Sequence, residues 1–167
     1  MFASGDGIFA QLPFIKSLTE DSKRAAIKTR RIKLVWQTEE YHGQLQQWMQ
    51  SILDDEEVSL ELLDISIHIP AEADESNLSK VVEVADSKVR KIGNRLKVIR
   101  DIPDVESYVQ LEMKEPRRDV AVTVSGFEKL REEVRSQVLA TGRLNVQLFE
   151  LDFQPQRVFQ HRGGTAA

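Results

Sequence analysis

The sequence has no cysteine, which excludes disulfide scaffolds, zinc ribbons and thiol catalysis. Histidine is nearly as scarce. His42, His68 and His161 lie far apart in different elements, and no pair has metal-ligand spacing. They read as surface or strand histidines, and no metal site is expected. No apolar run approaches the roughly 20 residues that span a bilayer, and nothing at the start reads as a signal peptide. Basic charge is not in excess: 23 Lys and Arg against 27 Asp and Glu leave a net charge of -4, which argues against a nucleic-acid partner. There is no internal repeat, no low-complexity block, no Ser-His-Asp order and no defensible pair of catalytic carboxylates. What is present is 167 residues, 41% hydrophobic and 30% charged. That is enough for one domain to bury a core without staples.

The chain opens with apolar Met1-Phe2-Ala3, a glycine-rich Ser4-Gly5-Asp6-Gly7 and a helical stretch from Ile8 to Leu18. Strand, tight turn and helix begin a βα unit. The strand is short against the usual five or six residues, so the first strand reads as truncated and the chain as a fragment. Ile32 to Trp36 reads as a second strand. Leu45, Trp48, Met49 and Ile52 place one apolar face on a helix over Gln44 to Leu53. Leu62 to Ile69 is a third strand, stopped by Pro70. Residues 71–94 are polar and poorly periodic and read as a surface insertion, part helical around Lys80 to Val89. Arg95 to Ile99 fits a short strand.

Pro103 suits a helix start, with Val105, Tyr108, Val109 and Met113 at helical spacing and Pro116 after them. Asp119 to Val124 is a branched strand. Phe127 to Leu139 is a helix with Leu130, Val134 and Val138 on one face, closed by Gly142. Val146 to Leu151 is the last strand. The domain is expected over 1–155, with 156–167 a flexible tail. Strands alternate with helices, which calls for an α/β fold with a doubly wound parallel sheet and ligands at the strands' carboxyl ends. In such a sheet the first strand is central, expected between the second and the fourth.

Gly5-Asp6-Gly7-Ile8-Phe9-Ala10 fits the G-x-G-x-x-A dinucleotide fingerprint. The first glycine permits the turn, the second lets backbone approach a pyrophosphate, and the small third residue allows close helix packing. The helix N-terminus offers amides to an anion. The same residues also read as a turn that merely joins strand to helix, and Asp6 between the glycines would repel a phosphate. Ser125-Gly126 forms a second strand-to-helix turn. Its hydroxyl is a candidate donor to a carboxamide or phosphate, but a serine before a helix is more commonly its N-cap. In Phe149-Glu150-Leu151-Asp152-Phe153, Phe149 reads as core, and Phe153 as core or as an aromatic that can stack on a flat cofactor. The basic stretch Lys80 to Arg100, interleaved with acids and free of aromatics, reads as a solvated face.

Four blocks carry a family resemblance. They are Ser4 to Phe14, Arg30 to Gln37, Val122 to Gly126 and Leu148 to Pro155. In this order they resemble the NAD-binding domain of fungal-type ferric reductases, in the ferredoxin-reductase-like group that includes the NADPH oxidases. The resemblance implies a nicotinamide module of an oxidoreductase in which NAD(P)H passes hydride to FAD, and electrons then move through membrane haems to ferric iron. The flavin-binding and haem-bearing parts lie outside this chain, so FAD and haem are reached only through a parent protein. The flavin-binding domain is the expected partner. The implied place is the cytoplasmic face of a membrane, with the isolated chain itself soluble and inactive.

Carried over to this sequence, Gly5, Gly7 and Ile8 match the pyrophosphate turn. Trp36 and Gln37 match the strand end that meets the adenosine half. Ser125 and Gly126 match the turn near the nicotinamide, and Phe153 matches the terminal aromatic against the flavin. No catalytic acid or base is implied. Three departures stand out: Asp6 in the phosphate turn, Ser125 where relatives often carry cysteine, and Glu39-Glu40 where a 2′-phosphate would want arginine. Two other readings remain open: a non-catalytic truncated remnant, and an interaction domain that reuses the fold.

Overall fold

The computed structural model describes residues 1–39, 62–70, 89–92, 95–114 and 119–152, together with Gln47 and Met49. Along the chain these form β1 (Phe2–Ser4), a single 3-10 turn (Gly5–Gly7), α1 (Ile8–Lys23), β2 (Ile32–Gln37), β3 (Leu63–His68), β4 (Val89–Ile92) and β5 (Leu96–Ile99). Then come α2 (Val105–Glu112), β6 (Val120–Ser125), α3 (Glu128–Ala140) and β7 (Val146–Leu151). One sheet of seven strands runs in the order β4-β5-β3-β2-β1-β6-β7. Six strands are parallel, and β4 pairs antiparallel to β5. The fold is therefore α/β and doubly wound, and the order reverses at β1, where a ligand crevice is expected.

The three-residue β1 holds the centre by pairing on both sides. Phe2, Ala3 and Ser4 face Val35, Trp36 and Gln37 of β2, and Phe2 and Ala3 face Val124 and Ser125 of β6. The neighbour opposite β2 is thus the strand 120–125, not the fourth strand read from the sequence. Leu96–Ile99 instead continues the sheet beyond β3, where Leu96 and Val98 enter the core.

Buried helices cover both faces, so the inner strands read as near-continuous apolar runs. On one face Ala3, Leu34, Trp36, Ile65 and Ile67 pack with Ile8 and Ile15 of α1 and with Met49. On the other, Phe2, Val35, Val122 and Val124 pack with Val105 and Val109 of α2 and with Leu130, Val134 and Val138 of α3. The spacing of those last three is the one the sequence predicts.

Several boundaries differ from the sequence reading, each for a local reason. Helix α1 runs to Lys23 instead of Leu18, because Thr19 keeps the buried spacing of Ile8, Gln11 and Ile15 and returns its hydroxyl to the Ile15 carbonyl at 2.9 Å. Pro103 lies ahead of α2, not in its first turn. The helix is capped by Asp104, whose carboxylate accepts from the Ser107 amide at 3.0 Å and hydroxyl at 2.6 Å. Those Ser107 bonds hold the Asp104 carboxyl below the usual range.

Within the expected insertion, Val89–Ile92 is a strand and not a helix or surface loop. It adds an antiparallel edge to β5 through backbone pairing, which needs no apolar alternation. The rest of 71–88 lies outside the described residues. So does the helix expected over Gln44 to Leu53, apart from Gln47 and buried Met49, both helical. Among the described residues no helix is long and apolar enough to cross a membrane.

At the opposite end of the sheet the Met1 nitrogen donates to the Lys33 carbonyl at 2.8 Å. Burial lowers the pKa of His68 by more than its contact with Asp101 raises it. The unfolded chain therefore binds a proton that the folded chain excludes. The stability this group contributes is fully present above its ordinary value of 6.5 and is lost as pH falls below it. Melting temperature should fall as pH is lowered through that value, and His68→Gln should flatten the fall. A profile unmoved by His68→Gln would show that the imidazole is solvated.

Candidate functional site

The candidate site is built from two turns that leave the carboxyl ends of adjacent strands. One follows β1 through Ser4, Gly5, Asp6 and Gly7 into α1. The other follows β6 through Ser125, Gly126 and Phe127 into α3. Gly5 and Gly126 have φ of +50° and +112°, a backbone region that L side chains rarely adopt. A Cβ on Gly126 would lie 2.3 Å from the Ser4 hydroxyl and 2.4 Å from its carbonyl oxygen. A Cβ on Gly7, which has ordinary helical φ, would lie 2.6 Å from the Gly126 nitrogen and from the Ser125 carbonyl carbon. The need for glycine at position 7 thus comes first from the facing turn of the same protein.

Side-chain hydrogen bonds lock this approach. The Phe127 amide donates to the Ser4 hydroxyl at 2.7 Å. The Ser125 hydroxyl donates to the Gly7 carbonyl at 2.8 Å and accepts from the Gln11 amide at 2.9 Å. That same amide donates to the Phe2 carbonyl at 3.1 Å, and the Gln11 carbonyl oxygen accepts from Thr123 at 2.7 Å. Gln11 and Ser125 are both 0% exposed, so this is a satisfied buried network with its donors already committed.

Two consequences concern anions. Ser4 is the usual residue type for an N-cap, yet it makes no cap bond, because its hydroxyl receives Phe127 instead. Gly7, at the start of α1, has no side chain to cap with. Neither the 3-10 turn nor α1 has a side-chain N-cap bond, and the Ile8 amide turns back to the Gly5 and Asp6 carbonyls; a helix start without a side-chain cap is the arrangement that suits a phosphate. Asp6 and Glu39 are exposed on the same edge of the sheet and oppose that attraction.

The structure brings Gly5, Gly7, Ile8, Ser125 and Gly126 together. Trp36 joins them from beneath: it is 2% exposed, within the core, and its indole N–H donates to the Gly5 carbonyl at 3.0 Å. Gln37 ends β2 half-buried, level with Ser4 and His68. Ala10, the small third position of the fingerprint, is half-buried. Phe153 lies outside the described residues, as do His42 and His161.

Phe149 is not core as expected but 47% exposed. It pairs with Thr123 on the face that α1 covers, but β7 is the sheet edge and α1 packs against β1 and β6. Within the basic stretch, Arg95, Lys97 and Arg100 are half-buried rather than fully solvated, and Lys97 lies 3.9 Å from Asp64.

Two groups escape the sequence reading. Arg131, one turn into α3, donates to the Gly126 carbonyl at 3.0 Å, to the Leu151 carbonyl at 3.2 Å and to the Asp152 carboxylate. It ties the ends of β6 and β7 together, and only its position one turn past the second glycine hints at this. His68, at the end of β3, is buried, with Nε2 2.9 Å from the Tyr108 hydroxyl and Nδ1 3.2 Å from the Asp101 carbonyl. Among the described residues no group of three His, Cys, Asp or Glu is placed to hold a metal.

A doubly wound sheet with a glycine-lined, uncapped helix start at its reversal point defines a dinucleotide-binding class of α/β protein. Residues 1–139 match the family model described as Ferric reductase NAD binding domain. The chain belongs to that family and is an NAD-binding module. No curated protein matches it.

Alanine at three glycines separates close packing from backbone strain. Gly142 has φ +59° and nothing within 4 Å of a Cβ, so Gly142→Ala should cost roughly 1–2 kcal/mol from strain alone. Gly7→Ala meets backbone and should cost up to about 3 kcal/mol, and Gly126→Ala, with both faults, should cost the most. Denaturant midpoints check this order. Gly7→Ala as mild as Gly142→Ala would mean that the turns can separate freely.

Proposed function

We propose that the chain is the nicotinamide-dinucleotide module of a flavin-linked ferric reductase, positioning NAD(P)H for hydride transfer to FAD. The carrying observation is the uncapped 3-10 turn and start of α1, held against the β6 turn where the strand order reverses. Family membership supports the same reading. When bound, the dinucleotide supplies the hydride, and the flavin, on a partner domain of the parent protein, accepts it.

The work left to this chain is binding and orientation. The opening amides of the turn take the pyrophosphate. Gly126, with its φ of +112°, carries the second turn close beside the first. Arg131 fixes the far side by holding the Gly126 and Leu151 carbonyls. The Ser125 and Thr123 hydroxyls move no proton in this scheme: Ser125 gives its own to the Gly7 carbonyl, and Thr123 gives its own to Gln11. That suits hydride transfer, which needs no acid or base from the protein. The haems, the ferric iron and the membrane belong to the parent protein, with this module on the cytoplasmic side and the flavin-binding domain as its neighbour.

Calorimetric titration of the full chain with NADH tests the reading. Binding is expected, and Asp6→Asn should tighten it by about threefold, because one exposed carboxylate near a pyrophosphate repels it weakly in water. A cooperatively folded chain with no heat of binding for NADH would remove the dinucleotide from the account. Tight binding that ignores Asp6→Asn would move it away from this turn.

A further inference from the structure

The residues that follow β1, β2 and β3 in the sequence share a property of charge. The sequence contains no Lys or Arg between Lys33, inside β2, and Lys80. Acidic residues recur throughout that stretch, from Glu39 to Glu75. The turn after β1 adds Asp6 and likewise no cation.

Glu39 occupies the pivotal place. The end of β2 is fixed, since Thr38 is buried and its amide donates to the His68 carbonyl at 2.9 Å. Glu39 follows at once and is exposed. Its neighbours along the sheet edge are the β1 turn on one side and Ile69-Pro70 on the other, neither of which carries a positive charge.

In a doubly wound sheet with its pyrophosphate at the first turn, the adenosine ribose reaches past the end of the second strand. An acidic residue there accepts from the ribose hydroxyls, whereas a 2′-phosphate requires a cation such as arginine. A carboxylate is a poor neighbour for a group that brings nearly two further negative charges. We infer that this site takes the unphosphorylated dinucleotide, NADH, and rejects NADPH, with Glu39 as the specificity-determining residue. The inference rests on the dinucleotide reading above and goes further by choosing between its two ligands.

The experiment titrates the full chain with NADH and with NADPH at low ionic strength, for the natural sequence, Glu39→Gln and Glu39→Arg. Circular dichroism melts establish that each protein is folded. NADH is expected to bind the natural chain at least about tenfold more tightly than NADPH, as two added charges near one carboxylate require. Glu39→Gln should narrow the ratio and Glu39→Arg should narrow it further or reverse it. Added salt should also narrow it.

Equal affinity for the two dinucleotides, or tighter NADPH, overturns the discrimination and leaves dinucleotide binding standing. A ratio that favours NADH but is unmoved by Glu39→Arg overturns the role of Glu39. Failure of a folded natural chain to bind either dinucleotide overturns the binding reading itself, and the discrimination with it.

Discussion

The turn after β1 and the turn after β6 touch backbone to backbone at a distance that one methyl group would prevent. The arrangement of the crevice follows from that contact. Because Gly7 lies against Ser125-Gly126, the start of the first helix is held against the turn that leads into the third. Because Ser4 is drawn across to Phe127, the helix start keeps its amides without a side-chain cap. Because Ser125 and Gln11 are bonded under the contact, the polar groups needed to hold it are removed from water and from any ligand. A three-residue central strand suffices under these conditions. It is held by β2 and β6 on its edges and by this network past its end.

The sheet edge that results is electrically divided. On the β6 and β7 side, Arg131 is committed to two carbonyls and Asp152, and Arg135 to Glu150 at 2.8 Å. These pairs fix strand ends and offer little free positive charge. At the ends of β1, β2 and β3 no Lys or Arg follows the strand among the described residues. In the proposed dinucleotide complex, attraction for an anion would therefore come from backbone amides at the helix start, which are fixed in direction and act at short range. The carboxylates of Asp6 and Glu39 would oppose it. Such a site would grip a pyrophosphate through geometry and have little with which to hold a further, 2′-phosphate group.

Much of this was legible in the sequence, and the misses have physical causes. Strands buried on both faces announce themselves as branched runs, so Ile32 to Trp36, Leu62 to Ile69 and Asp119 to Val124 were read within a residue or two. Helix α3 showed its face through Leu130, Val134 and Val138. The strand Val89–Ile92 was missed because an edge strand in a hairpin is held by backbone pairing and leaves little hydrophobic pattern. Gly93-Asn94, a hairpin dipeptide, was the signal available for it.

At the site, the glycines could be identified by type, but their reason could not. The spacing G-x-G speaks of a turn and a ligand, whereas the Gly7 carbonyl accepts from the Ser125 hydroxyl 118 positions away, which no local pattern encodes. Trp36 was expected only as part of the strand end that meets the adenosine half, and the structure shows its N–H on the Gly5 carbonyl. Phe149 was assigned to the core because branched and aromatic runs usually are, but whether a strand lies at the edge is a property of sheet order and not of the strand.

The Gln11 carboxamide also has a consequence for the order of assembly. One of its partners, the Phe2 carbonyl, lies 9 positions away, and the other two, Thr123 and Ser125, lie 112 and 114 positions away. A growing chain presents the first strand and helix long before those hydroxyls have been synthesised. Burying the amide in the interval would leave its carbonyl oxygen without a donor, at a cost of about 1–3 kcal/mol. This βα unit, made well before β6, is therefore completed only when β6 arrives. Until then its helix can form, but it has no settled place against the sheet.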